Sequence, residues 1–332
     1  MIKGIAILFM LLLHCYRNEA YDVQLVFDHA WIPERNSVLK ICVGMFTFLV
    51  GYGYSFSKTK DWKYSINHIK KLLIPFWVIL FIFTLPFCFS EVVKTEPLQL
   101  IYNLFGIDSH FNWYSWYVAF YILAMLIMPL VSRFIDRRPL INTIIAVLVS
   151  YLLSVAIHSI PGMLDSKLLM SLFDNLLMVP IMLVGYLFAH ERYYERIPLG
   201  SIAPILLVVI SLALMMVTLF LRHHKWGLFA FRLDTFYVPV LIGSLVVLFH
   251  MIRWRPIKLV LSKLGEVSVY MWFFHALFFT TSVRWFYQPA ITIFQDINLV
   301  VLWTIVLTFV ASWLIKTIVD AVMQRLSLSK IK

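Results

Sequence analysis

Apolar runs of membrane-spanning length recur from one end of the chain to the other, separated by short polar segments. They fall at approximately residues 1–18, 40–56, 72–90, 115–131, 140–157, 172–189, 202–221, 236–252, 266–283 and 298–316. A helix needs about 20 apolar residues to cross a hydrocarbon layer of roughly 30 Å, and most of these runs come close to that length. The pattern predicts an all-α integral membrane protein of about ten transmembrane helices. No run is followed by a polar stretch long enough to fold separately, so residues 1–332 read as one membrane-embedded domain. Two runs fit less well: the first is short, and the run near 172 contains Asp174, Asn175 and Pro180. The first run also lacks the charged leader and small-residue cleavage site of a secretory signal, and more spans follow it, so it is expected to be retained.

Composition agrees with the pattern. Hydrophobic residues make up 62% of the 332 and charged residues 14%, with a mean hydropathy of +0.87, against about a quarter charged in soluble domains. A formal net charge of +11 invites a nucleic-acid reading, but the placement of the charges removes it. With a cytoplasmic N-terminus, the inside segments hold Lys3; Lys58, Lys60, Lys63, Lys70 and Lys71; Arg133, Arg137 and Arg138; Arg192 and Arg196; Arg253, Arg255, Lys258 and Lys263; and Lys316, Arg325, Lys330 and Lys332. These are nineteen of the 28 basic residues, which leaves nine outside. The bias is the positive-inside pattern, with both termini cytoplasmic. Cys15, Cys42 and Cys88 lie in or beside apolar runs without paired spacing, which argues against a disulfide framework and against a zinc site.

Candidate chemistry concentrates in the first run, KGIAILFMLLLHCY, which Lys3 opens and His14 nearly closes. Eleven positions at about 1.5 Å each set the two about 16 Å apart along a helix, about half a bilayer, and about 100° per residue puts them on nearly the same face. An ionisable ring in hydrocarbon is costly and is usually kept for function; the plain alternative is a neutral histidine that packs and hydrogen-bonds between helices. Removal from water disfavours the imidazolium, so His14 is expected neutral and able to accept a proton. That state suits a general base acting on a hydroxyl, and equally transient acyl acceptance by the ring. Cys15 points about 100° away and reads as core.

Other candidates are more diffuse. The stretch from Lys58 to Lys71, five lysines against the single acid Asp61, reads as a basic loop that mostly signals topology. Asn112, Trp113, Tyr114, Ser115, Trp116 and Tyr117 cluster at the outer start of the fourth run, as an interfacial aromatic belt or as a sugar-stacking surface. Asp108, together with Glu19 and Asp22 in the first outer loop, is a candidate to orient an acceptor or to pair with His14. Ser268 lies seven positions before His275, which is mid-run, on nearly the same face. His223 and His224 are adjacent and point apart on a helix, so no metal is expected there.

Several segments, taken in order, resemble the membrane acyltransferase 3 family. IKGIAILFMLLLHCY resembles its first helix, which carries a basic residue, ten intervening positions and a histidine; Lys3 and His14 meet that spacing, with Lys where Arg is frequent. FTFLVGYGYSFSK, at 46–58, resembles the second helix, commonly Ser-Gly-Tyr, with Val50 in place of the serine before Gly51 and Tyr52. HIKKLLIPFW, at 68–77, resembles the basic stretch before a Pro-containing third helix. Two arginines three apart are frequent there, and His68 and Lys71 take their places, with Lys70 between. SWYVAFYILAMLIMPLV and VPIMLVGYLFAHE resemble the fourth and sixth helices, and LGEVSVYMWFFHALFF a late helix through Gly265, Ser268, Tyr270 and His275. The family usually has polar residues ahead of its basic position, whereas Met1 is two residues from Lys3; either the helix starts at the membrane surface or the true start lies upstream.

The resemblance implies an acyl-CoA-dependent O-acyltransferase of the bacterial cytoplasmic membrane. Its acyl group, acetyl in the simplest case, would pass to a hydroxyl of a cell-envelope, capsular or exopolysaccharide sugar, or of a lipid-linked precursor. It implies that His14 handles the proton or the acyl group. Donor phosphates would meet Lys3, His68, Lys70 and Lys71, where lysine keeps a point charge and loses the fork of arginine. The acceptor side or site wall would draw on Glu19, Asp108, Trp116, Tyr117, Ser268 and His275. The implied partners are acyl-CoA (acetyl-CoA) as co-substrate, a saccharide or lipid-linked saccharide and membrane lipids, with no permanently bound cofactor, no metal and no nucleic acid. The soluble esterase-like domain fused to some members is not expected. Residues alone also allow a secondary transporter or flippase for an envelope saccharide, which needs many helices and a buried histidine just as much. No repeat between the halves is visible, and the order of the acyltransferase segments argues for the enzyme.

Overall fold

A computed structural model describes residues 1–34, 36–200, 202–224, 230–252 and 254–329, the side chains of residues 164, 230–232 and 326–329 aside. Arg253, Lys330 and Lys332, counted above among the inside cations, lie outside the described residues. The protein is 81% helical, and among the described residues no strand forms; a single backbone bridge joins Val26 to Asp296. The α-helices are α1 (Ile2–Cys15), α2 (Ile41–Ser55), α3 (Trp62–Val78), α4 (Phe89–Lys94), α5 (Pro97–Leu104), α6 (Trp116–Ile135) and α7 (Pro139–His158), followed by α8 (Lys167–His190), α9 (Pro204–His223), α10 (Ala230–Met251), α11 (Arg255–His275), α12 (Thr281–Tyr287) and α13 (Ile297–Ser329).

Each of the ten apolar runs overlaps a helix, although the run at 72–90 passes from α3 into α4 and that at 266–283 extends beyond the end of α11. Among the described residues eight helical stretches are long and apolar enough to cross a membrane. The remaining two runs are α1, only 14 residues long, and α11, whose first half carries Arg255, Lys258, Lys263 and Glu266. The protein is an all-α membrane protein. The interrupted run near 172 is one continuous helix, α8: Ser166 caps it by accepting from the Leu169 N–H, and the buried Asn175 amide donates to Ser171 Oγ at 3.2 Å. Proline inside α3, α6, α8 and α10 is tolerated because neighbouring helices keep the freed carbonyls out of lipid.

Two boundaries differ from the pattern. The stretch expected to be a basic loop turns helical at Trp62, because the Asp61 carboxylate accepts from the Tyr64 N–H at 2.8 Å and caps the helix there. From Trp62 the chain stays helical to Lys94, passing through a π-helical turn at Ile79–Thr84 and a 3-10 turn at Leu85–Cys88. The run at 266–283 belongs to a helix that begins at Arg255 and ends at His275, so His275 closes a helix instead of sitting within one. An apolar-run criterion misses the first half of α11 because only a stripe through Leu261 and Leu264 is buried there.

α2 packs along α8, and α1 sits against both α2 and α11. Backbones come close at these crossings: a Cβ on Gly4 would collide with the Leu261 carbonyl, and one on Gly51 with the Met182 carbonyl. α7 and α9 are peripheral, with 22% and 17% of their apolar windows buried against 56% for α10. Ion pairs between loops join segments that the charge bias assigns to one side. Lys60 meets Asp136 at 3.1 Å and Lys316 meets Glu266 at 3.9 Å among the inside segments. Arg284 meets Asp22 at 2.6 Å, Lys167 meets Asp108, and Arg222 meets Asp234 at 2.7 Å among the outside ones.

Candidate active site

α1, α2, α3, α6, α8 and α11 surround a cavity of about 1350 Å³. Its lining follows α1 from Lys3 through Met10 and Leu13 to His14 and on to Arg17 and Glu19. The spacing read from the sequence is therefore realised: Lys3 and His14 face one space from one helix. Cavities for a single small ligand run to about 300–1,000 Å³, so this volume leaves room for two reactants.

His14 lies in the last turn of α1, half-buried. Its ring centroid is 4.1 Å from that of Tyr114 and 5.4 Å from that of His275, and Tyr114 and His275 are 5.2 Å apart, so the three rings close a triangle. His275 is fully buried and donates from Nδ1 to the Met271 carbonyl at 3.1 Å, which leaves its Nε2 as the unprotonated nitrogen, without a protein partner. Nδ1 of His14 likewise has no protein partner. Tyr114 is held from behind, its carbonyl accepting from Trp272 Nε1 at 3.0 Å. An imidazole with an unengaged nitrogen, at the wall of a cavity, is equipped to take a proton or an acyl group.

The inner end is formed by Lys3 together with His68 and Lys71 of α3. His68 and Lys71 are three apart on a helix and share a face, whereas Lys70, turned about 100° from Lys71, does not line the cavity and is exposed. Of the donor set expected from sequence, Lys3, His68 and Lys71 line the cavity and Lys70 does not. His68 donates from Nδ1 to the Tyr64 carbonyl at 3.0 Å and stacks on the Tyr64 ring.

Trp116, Tyr117 and Ser268 also line the cavity. Tyr117 accepts from Thr47 Oγ1 at 3.2 Å, and Ser268 donates to the Gly265 carbonyl at 2.9 Å. The acids do not pair with His14. Glu19 lines the outer mouth but its charged neighbour is Arg17 at 3.9 Å, Asp22 is taken by Arg284, and Asp108 pairs with Lys167 beside a separate cavity. Cys15 is buried and outside the lining, as core.

Among the lining residues that sequence reasoning did not single out, four stand out. Tyr114 is one of four aromatics in its cluster, and nothing in its own segment marks it as the ring that meets His14. Lys40, Asp174 and His223 converge at the outer mouth from the 3-10 turn ahead of α2, from α8 and from α9, with Asp174, Arg222 and Asp234 as charged neighbours of Lys40. Only Asp174, a carboxylate inside an apolar run, carried a signal.

Comparison with known proteins decides the class of chemistry. A family model described as an acyltransferase domain, that of the acyltransferase 3 family, matches residues 1–317. The chain belongs to the acyltransferase 3 family. No curated protein and no solved structure matches it. The protein is a multi-pass membrane acyltransferase, and membership of the family selects the enzyme over the transporter.

Proposed function

We propose that this acyltransferase takes an acyl group, acetyl in the simplest case, from acyl-CoA and transfers it to a hydroxyl of a cell-envelope, capsular or exopolysaccharide sugar or its lipid-linked precursor. The observation that carries the reading is one cavity, in a member of this family, that runs from Lys3 and Lys71 past His14 to Arg17. Ten crossings of a bacterial cytoplasmic membrane, with both termini in the cytoplasm, go with it; the charge bias and the side-consistent ion pairs support that arrangement. The whole described chain then serves as one acyltransferase domain.

In this reading the CoA phosphates rest on Lys3, Lys71 and His68 at the cytoplasmic mouth, and the thioester reaches up the cavity toward His14. The acceptor hydroxyl enters from the outer mouth. His14 removes its proton as the oxygen attacks the thioester carbonyl carbon; the C–S bond breaks, and the proton is returned to the departing CoA thiolate. Tyr114, Trp116 and Tyr117 wall the reacting space, and His275 backs His14. The test is purified protein with radiolabelled acetyl-CoA and membrane extracts as acceptor source. Label in a saccharide fraction that depends on His14 is expected, and absence of CoA release under any acceptor overturns the donor assignment.

A further inference from the structure

A second cavity, of about 710 Å³, opens next to the first where α4, α5 and the start of α12 meet the loop at 105–112. The two differ in kind. Of the eleven residues that line the second, all but Trp113 are polar, whereas the first is walled largely by aromatic and aliphatic side chains. Ser109 and Trp113 belong to both walls, so the spaces adjoin. Trp113 is 57% exposed, and its ring is 6.2 Å from that of Tyr114, which in turn sits 4.1 Å from His14.

The polar groups around Trp113 suit a neutral, hydroxyl-rich ligand. Glu91 contacts His110 at 3.4 Å and Asp108 pairs with Lys167, while Lys94, the cation of the lining itself, is offset by Glu91, so no surplus of one sign collects to hold a phosphate or a nucleotide. The uncharged polar lining is one amide, Gln99, with the hydroxyls of Thr95, Ser109, Thr280, Thr281 and Ser282. The Thr280 hydroxyl is buried, with the residue 2% exposed, and has no protein partner; an orphaned polar group of that kind in a cavity wall costs stability unless something in the cavity bonds to it. An exposed indole ringed by donors and acceptors of both kinds presents a flat apolar face to sugar C–H groups and hydrogen-bond partners to their hydroxyls. The groove also lies at the edge of the apolar surface: Phe89 and Val93 of α4, Leu98 of α5 and Trp285 of α12 all point outward and are more than half exposed. Such a rim belongs at a lipid–water boundary.

We infer that this groove is a saccharide-binding subsite, which holds the glycan of the acceptor while one of its hydroxyls passes Trp113 to reach His14. The inference rests on the reading above, that the acceptor is a sugar, and supplies the place where it docks. A free glycan and a glycan on a lipid carrier offer the same chemistry to the groove.

The test is binding to a printed oligosaccharide array by the fluorescently tagged, detergent-purified protein. Wild type is expected to be retained on at least one saccharide, with retention reduced tenfold or more in Trp113→Ala and fivefold or more in Gln99→Ala, both at unchanged melting temperature. A parallel arm presents the retained saccharide on polyprenyl phosphate in nanodiscs: tighter capture than of the free sugar assigns a lipid-linked acceptor, and equal capture assigns a free glycan. Failure of wild type to bind any array saccharide, or wild-type retention by both variants, overturns the subsite. Acetyl-CoA turnover is scored separately on the same preparations. A protein that binds saccharide through Trp113 but never consumes acetyl-CoA refutes the donor reading and leaves the subsite standing. One that consumes acetyl-CoA without binding sugar does the reverse.

Discussion

The two ends of the His14 cavity are built differently. At the inner end, long cationic side chains from Lys3 and Lys71, with His68, project from two regular helices, α1 and α3. At the outer end, rings and short polar groups come from helix ends and turns: Trp113 and Tyr114 from a 3-10 turn, Lys40 from the turn ahead of α2, and His223 from the last turn of α9. Cations on long stems bind a phosphate with little demand on exact placement. Stacked rings work only when neighbouring elements hold their planes, so the outer end depends far more on the packing around it. The ties at each end differ accordingly. The inner loops are joined by the Lys60–Asp136 pair, partly exposed, to which Tyr186 donates at 2.6 Å. The outer ends of α9 and α10 are joined by Arg222 and Asp234, 3% and 0% exposed.

The group between the two ends carries the largest expected effect. His14→Ala is expected to lower the rate of acyl transfer by roughly a hundredfold to ten-thousandfold, the range for removing a general acid–base group, while the protein still inserts and melts as wild type. Steady-state assay of the purified variant checks this, and near-normal turnover would remove the central role of the ring.

Next comes the outer tie. Arg222→Ala leaves the buried Asp234 without its 2.7 Å partner, with Lys40 as the remaining cation nearby, and is expected to cost up to about 3–5 kcal/mol of stability, seen as a lower unfolding midpoint in detergent. Pairing Arg222→Met with Asp234→Leu is expected to recover most of the loss, because neither charge then remains buried alone. A single mutant as stable as wild type would mean that the outer end is not organised by this pair.

The inner end is probed by position, not by total charge. Lys71→Gln is expected to raise the KM for acyl-CoA by roughly ten- to a hundredfold, equivalent to the loss of about 1.5–3 kcal/mol for a charged hydrogen bond. Lys70→Gln, one residue away and off the cavity wall, is expected to change it less than twofold. Equal effects from the two would reduce the inner end to a diffuse basic surface. The smallest effect belongs to the inner tie: Lys60→Gln removes a partly exposed pair worth at most about 1 kcal/mol, and its melting temperature is expected to stay close to wild type.

Much of the architecture was readable before any coordinates. Eight of the ten apolar runs fall in helical stretches long and apolar enough to span a membrane, and the eleven-residue step from Lys3 to His14 placed both side chains on one cavity wall. Helix starts were less readable. Asp61 moves the start of α3 ten residues ahead of the apolar run, and the charged half of α11 hides from any apolarity scan. Lys70 and Lys71 are chemically identical and adjacent, and only the rotation of α3 against its neighbours tells them apart.

By itself, then, the sequence determined residence in the membrane, the helical class, the positions of most long apolar helices and the face shared by Lys3 and His14. Those properties depend on the transfer of apolar side chains out of water and on the period of a single helix, both of which are read along one dimension. Tertiary structure alone decided that Tyr114 and His275 are the rings beside His14, that Asp108 lines the neighbouring groove and not the His14 cavity, and that Lys40, Asp174 and His223 meet at the outer mouth. These residues come from helices far apart in the chain. Their meeting is fixed by close crossings such as Gly4 on Leu261 and Gly51 on Met182, where the absence of a side chain lets backbones touch and so sets which faces look inward.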